Sequence, residues 1–149
     1  MQGVVKRLAK GDAARSAAWD SFVSGHPEGT FFHRAGWQTV IAEQFRHDTY
    51  FLYVESAGEI VGVLPLVHVN SWLFGNSLSS LPFAVYGGVL SKSPEVARLL
   101  EEQAVLLAQQ LKVAHLEFRN ILPKHPEWPT QHLYVTFRKE LFSDRKSVV

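Results

Sequence analysis

The stretch SSLPFAVYGGVLSKSPEV, residues 79–96, gathers groups that could handle a ligand: the hydroxyls of Ser79 and Ser80, the phenol of Tyr86, and the adjacent Gly87 and Gly88. Glycines ahead of a helix can let backbone amides close around a phosphate, because a helix N-terminus offers unpaired N–H groups and the positive end of the peptide dipole. The spacing here speaks against that use. Gly87 and Gly88 stand several residues too early, Val89 and Leu90 resume an apolar run, and Pro94 removes one N–H donor, leaving Lys92 as a nearby cation for an anion. The glycine pair reads instead as a bend in a strand, or a place where another group approaches its backbone. Tyr86 is then a packed ring or a ligand contact. Ser79 and Ser80 either bond to neighbouring backbone or donate to a polar ligand.

A second cluster lies in HLEFRN. Strand alternation places His115, Glu117 and Arg119 on one face of a sheet, and Leu116 and Phe118 on the other. A carboxylate beside a guanidinium can manage a proton or hold a carboxylate, or the two can pair on a solvated face. His33 and Arg34 open a helix in which Trp37 falls on the apolar stripe, so the tryptophan is assigned to the core while the two polar residues stand ahead of that stripe. The seven histidines form no HxH or HExxH pattern, and no metal site is expected. There is no GxSxG nucleophile elbow. With no cysteine, disulfides, thiolate zinc sites and cysteine nucleophiles are excluded.

These groups need elements to position them. Val4–Leu8 reads as a strand, and Asp12 as the N-cap of a helix to about Ser24 that buries Ala18, Trp19, Phe22 and Val23. A second helix is expected from about His33 to Phe45, burying Trp37, Val40, Ile41 and Phe45. Two β-rich runs flank SAGE, a hairpin signature, and their nearly continuous apolar character implies cover on both faces. Pro65, inside the second run, marks a bulge or a sheet edge. Leu78–Leu90 supplies another strand. Ser93 then caps a helix to about Leu111, with Pro94 at its first position and an apolar stripe of Val96, Leu100, Ala104, Leu107 and Leu111, widened by Leu99 and Leu106. His115–Asn120 and Leu133–Leu141 are two last strands.

With 149 residues, 46% of them hydrophobic and 19% charged, the chain can bury one ordinary core. A net charge of +1 provides no field for nucleic acid, and no DNA partner is expected. The longest apolar runs contain prolines and stop short of the roughly 20 residues that cross a bilayer, and no signal-peptide core is present. A cytoplasmic location is expected.

The order β-α-α-β-β-β-α-β-β is that of the GNAT-type acyltransferase fold. An α/β (α+β) architecture is therefore expected, a mixed, mostly antiparallel sheet flanked by helices. Beyond that order, FFHRAGWQTVI, EIVGVLPLVHV, LFGNSLSSLPFAVYGGVL and HLEFRN resemble, in sequence and spacing, the first half of FemAB-related proteins of the exosortase (PEP-CTERM) and exopolysaccharide-associated type. The resemblance covers roughly residues 4 to 141, and GVLPL followed by SLPF and YGG is its most specific part.

The resemblance implies a bacterial transferase built from two GNAT-like halves, which passes an aminoacyl or acyl group to an amine of a peptidoglycan or envelope-polysaccharide precursor. No metal or covalent nucleophile is needed, since orienting the amine and stabilising the oxyanion carry the reaction. The first half mainly holds the acceptor. Residues 1–141 would be that half and 142–149 a polar tail where a second domain begins, so catalysis by this chain alone is doubtful. The matched segments offer Ser79, Ser80, Tyr86, Gly87, Gly88, His33, Arg34, Glu117 and Arg119 as acceptor contacts, with no catalytic residue assigned. No resident cofactor is expected. The acyl donor, aminoacyl-tRNA or acyl-CoA, would sit mainly on the other half, and the exposed docking surface would favour a homodimer. Two alternatives stand beside this reading: a free-standing acetyl-CoA-dependent N-acetyltransferase, and a non-catalytic binding or assembly module of an envelope polysaccharide system.

Overall fold

The computed structural model of the chain describes residues 3–71, 75–80 and 88–118. Strand β1 (Val4–Arg7) leads to helix α1 (Ala13–Gly25), whose first turn is closed by the Asp12 carboxylate accepting from the Arg15 N–H. A 3-10 turn (Phe31–His33), helix α2 (Gly36–Val40) and a π-helical turn (Ile41–Phe45) follow. The long hairpin is β2 (Asp48–Ser56) and β3 (Glu59–Ser71), and its turn residues Ala57 and Gly58 have φ of 52° and 80°. Two left-handed residues give the turn the twist of its flanking strands. Then come β4 (Gly75–Ser80), β5 (Leu90–Ser91), α3 (Pro94–Gln110) and β6 (His115–Glu117).

The sheet order is β1-β2-β3-β4-β6, with β5 also on β3. All pairs are antiparallel except β4 with β6, which are parallel. Each face carries its own core, as the apolar strands imply. On one face Trp19 and Val23 of α1, with Ala35 and Ile41, pack on Phe51, Tyr53, Val63, Val67 and Leu90. On the other, Val96, Leu100, Ala104 and Leu107 of α3 pack on Leu52, Val54, Leu64, Leu66 and Leu78. Each buried Val, Leu, Ile or Phe among these contributes about 1.5–3 kcal/mol relative to exposure. Helix α3 lies directly over Gly62, where a Cβ would stand 2.4 Å from Val96 Cγ1 and 3.1 Å from Leu100 Cδ1.

Three expected core positions are corrected. Val40 and Phe45 are exposed, and only Ile41 of the second helix's stripe is fully buried; Trp37 is partly buried and Gln38 is buried in the stripe's place. The cause is the break-up of that helix into 3-10, α and π turns, each with its own hydrogen-bond span, so a single 3.6 period does not hold across it. Leu106 is also exposed, because it sits on the outer side of the α3 stripe. Leu133–Leu141 and the 142–149 tail lie outside the described residues. Among the described residues, no helix is long and apolar enough to cross a membrane.

Candidate functional site

The feature that organises the site is a break in the partner of β3. Leu66 pairs with Ser80 and Val63 with Leu90, so Leu64 and Pro65 of β3 have no strand partner on this side among the described residues. Pro65 explains why the ladder parts there. Its β2 partner Phe51 turns its carbonyl to the N–H of Leu8 at 2.7 Å, so the Phe51–Pro65 pair is not hydrogen-bonded, and the missing N–H of Pro65 faces the break. The Val63 and Leu66 rows bounding the gap lie on the order of 10 Å apart along β3.

At one end of this gap is Ser79. It pairs with Val67 and stands in register with Glu117 of β6, so both lie on the α1 face of the sheet. Ser79 is 3% exposed, and its Oγ is the one buried side-chain polar atom without a hydrogen-bond partner among the described residues. Buried hydroxyls are almost always paired, and an unpaired one costs about 1–3 kcal/mol. Ser80 points to the opposite face, level with Leu66, and is fully buried. In β6 the alternation is as expected: His115 and Glu117 share the Ser77–Ser79 face, and Leu116 lies with Leu78 in the α3 core.

At the other end are Gly88 and His33. The His33 imidazole is 2% exposed, and both ring nitrogens are engaged by protein groups. Nδ1 accepts from the Thr30 N–H at 3.2 Å, so the proton sits on Nε2, which donates to the Gly88 carbonyl at 3.0 Å. Thr30 Oγ1 in turn accepts from the Phe32 N–H, completing a capping box in which histidine stands where glutamate is usual. Burial lowers the His33 pKa from 6.5 to about 4. Arg34 is exposed and pairs with Asp20 of α1 at 3.4 Å. Tyr86, Gly87 and Arg119 lie outside the described residues. The structure thus brings Ser79 to Glu117 and His33 to Gly88.

The start of α3 is poorly open to a phosphate. Pro94 has no N–H, the Val96 N–H is taken by Ser93 Oγ at 3.3 Å, and the Lys92 N–H by the Val61 carbonyl at 3.0 Å. Among the described residues, no group of three or more His, Asp or Glu could hold a metal ion. A separate polar cavity of about 360 Å³ opens between Arg7, Lys10, Gln38, His47 and Asp48. Its best-placed cation is already committed: Arg7 Nε donates to the Thr49 carbonyl at 3.0 Å, and the guanidinium stacks 4.0 Å over Tyr50. Thr30 is a contributor that the sequence pattern did not single out, although its T-x-x-H spacing is a legible sign.

No protein-family model and no curated protein matches the chain. Solved structures do. A GNAT family acetyltransferase from Staphylococcus aureus superposes with a TM-score of 0.59 at 10% identity, over 95% of this chain and 100% of the other. A ribosomal-protein-alanine N-acetyltransferase from Brucella melitensis gives 0.59 at 12%, over 95% and 100%. A transcriptional regulator from Bacillus halodurans gives 0.56 at 9%, over 94% and 100%. The chain has a GNAT-like α/β fold with a mixed, mostly antiparallel sheet. At such identities that likeness concerns the fold, and a regulator among the matches illustrates how one fold serves different tasks.

Proposed function

We propose that this chain is a GNAT-type N-acyltransferase that moves an acetyl group from a coenzyme A thioester to an amine. The observation that carries the reading is Ser79: a buried, unpartnered hydroxyl beside a carboxylate, at a break in the sheet of an acyltransferase-like fold. In the reaction the amine nitrogen bonds to the thioester carbonyl carbon, the oxygen becomes an oxyanion, and collapse breaks the C–S bond and releases a thiol. Ser79 Oγ–H is assigned to the carbonyl oxygen, where a placed donor is worth most as charge develops. Glu117 is assigned the proton that the amine loses.

The test uses a property of the composition. With no cysteine in the chain, a thiol reagent reports only released coenzyme A. Amine-dependent thiol release, with micromolar acetyl-CoA binding by calorimetry and about a 10²-fold loss in Ser79→Ala, is expected. Absence of acetyl-CoA binding at millimolar concentration overturns the reading.

One observation favours a second reading, the acceptor-holding half of a FemAB-related transferase. The occupied amides at the start of α3 suit a diphosphate poorly. On this reading the chain binds a cell-wall or envelope-polysaccharide amine without binding acetyl-CoA, and turnover with aminoacyl-tRNA requires a second half. Binding of muropeptides in the absence of acetyl-CoA binding selects it.

A further inference from the structure

At one end of the sheet β1 and β2 part company. Leu8 still donates its N–H to the Phe51 carbonyl at 2.7 Å, but beyond it the chain turns away to α1 while β2 continues to Asp48. The cavity of about 360 Å³ left there is lined by Arg7, Leu8, Lys10, Gln38, His47 and Asp48, among others. That is room for a small molecule. None of these residues belongs to the Ser79–Glu117 row or to the His33–Gly88 contact.

The polar groups on the cavity are held in place without being used up. The Arg7 guanidinium donates to the Thr49 carbonyl through Nε and Nη2 and lies 4.0 Å over the Tyr50 ring. The carbonyl and the ring fix the group, and its remaining N–H donors suit an oxygen anion that would otherwise have to order a loose side chain. Gln38 is only 5% exposed, and its amide N–H donates to the Leu8 carbonyl at 2.8 Å. Its amide oxygen is left as an acceptor open to the cavity, without a donor among the described residues. Lys10 and Asp48 line the same space, and among the described residues neither enters an ion pair.

Opposite charges that share a cavity without closing on each other restrict what can fill it. A simple anion set against Arg7 and Lys10 meets the Asp48 carboxylate, and a simple cation set against Asp48 meets the two basic groups. A molecule carrying both charges satisfies both ends. We infer that this cavity is a second ligand site, for a free α-amino acid. Its carboxylate is assigned to Arg7 and Lys10, and its ammonium to the Asp48 carboxylate and the Gln38 amide oxygen. The inference is independent of the acyltransfer reading.

The test is 1H–15N NMR of the full chain at neutral pH, with free L-amino acids added singly at millimolar concentration. At least one is expected to move the amide signals of Arg7, Lys10, Gln38 and Asp48 saturably. The N-acetyl derivative of that amino acid lacks the ammonium, and its amide lacks the carboxylate. Each is expected to bind about tenfold more weakly or worse, as is the parent amino acid to Asp48→Asn and to Lys10→Gln. Absence of a saturable shift at these four residues with every amino acid overturns the site. So does either derivative, or inorganic phosphate, binding as tightly as the amino acid itself. If a variant fails to fold, the two derivatives and phosphate on the wild-type chain decide alone.

Discussion

At the residue scale, the informative groups are the one left unsatisfied and the one satisfied at a cost. Ser79 keeps a hydroxyl in the interior with no hydrogen-bond partner among the described residues, which costs stability. Ser79→Ala should therefore raise the unfolding free energy by about 1 kcal/mol while weakening ligand binding or turnover, measured by urea titration and thiol release on one preparation. A loss of stability would show that the hydroxyl is a structural partner. His33 makes the opposite case. Its pKa is held at about 4 mainly by burial, against the pull of the Gly88 carbonyl and Glu28. The unfolded chain takes up that proton near pH 6.5, so the unfolded state binds more protons below it. Stability is then full above pH 6.5 and falls as the pH drops to about 4, by a total of about 3 kcal/mol. Urea midpoints across this range should fall for the wild type and stay flatter for His33→Gln. As sequence, FFHRAG presents His33 and Arg34 as equals. They part company because one ring turns inward to a carbonyl 55 positions away and the other side chain stays in solvent.

At the element scale, the hairpin was legible because it is local. SAGE lies between two apolar β-rich runs, and strands and turn need only each other to form. The turn is nonetheless imperfect, since Ala57 holds a left-handed φ of 52° that carries a steric penalty for any side chain. Ala57→Gly should stabilise the fold by about 1 kcal/mol, read as a higher melting temperature with the hairpin unchanged. The second helix was the less legible element. Its residues fit one amphipathic period, yet the chain runs through 3-10, α and π turns so that Trp37, Gln38 and Ile41 can each meet different neighbours. Local propensity does not encode that compromise, because the fit is set by contacts with Leu8 and Phe31.

At the scale of the whole molecule, two helical layers close on one sheet, and the distance between the sheet and α3 is set at Gly62. Gly62→Ala pushes a methyl group into Val96 and Leu100 and should cost roughly 1–3 kcal/mol, whereas Gly25→Ala, with open space around it, should cost far less. Chemical denaturation of the two variants checks the contrast, and equal losses would refute close docking at Gly62.

The order of elements from Val4 to the strand at His115–Glu117, the helix caps at Asp12 and Ser93 and the two-sided cover of the hairpin were present in the amino-acid order, because each follows from periodicity and capping acting over a few residues. The tertiary structure alone decided that Ser79 and Glu117 share a row, that His33 reaches the Gly88 carbonyl, and that β4 ends on Leu66 while β5 pairs with Val63. Those relations join positions tens of residues apart. Only the packing of the two faces, which no local pattern specifies, brings such groups within hydrogen-bond range.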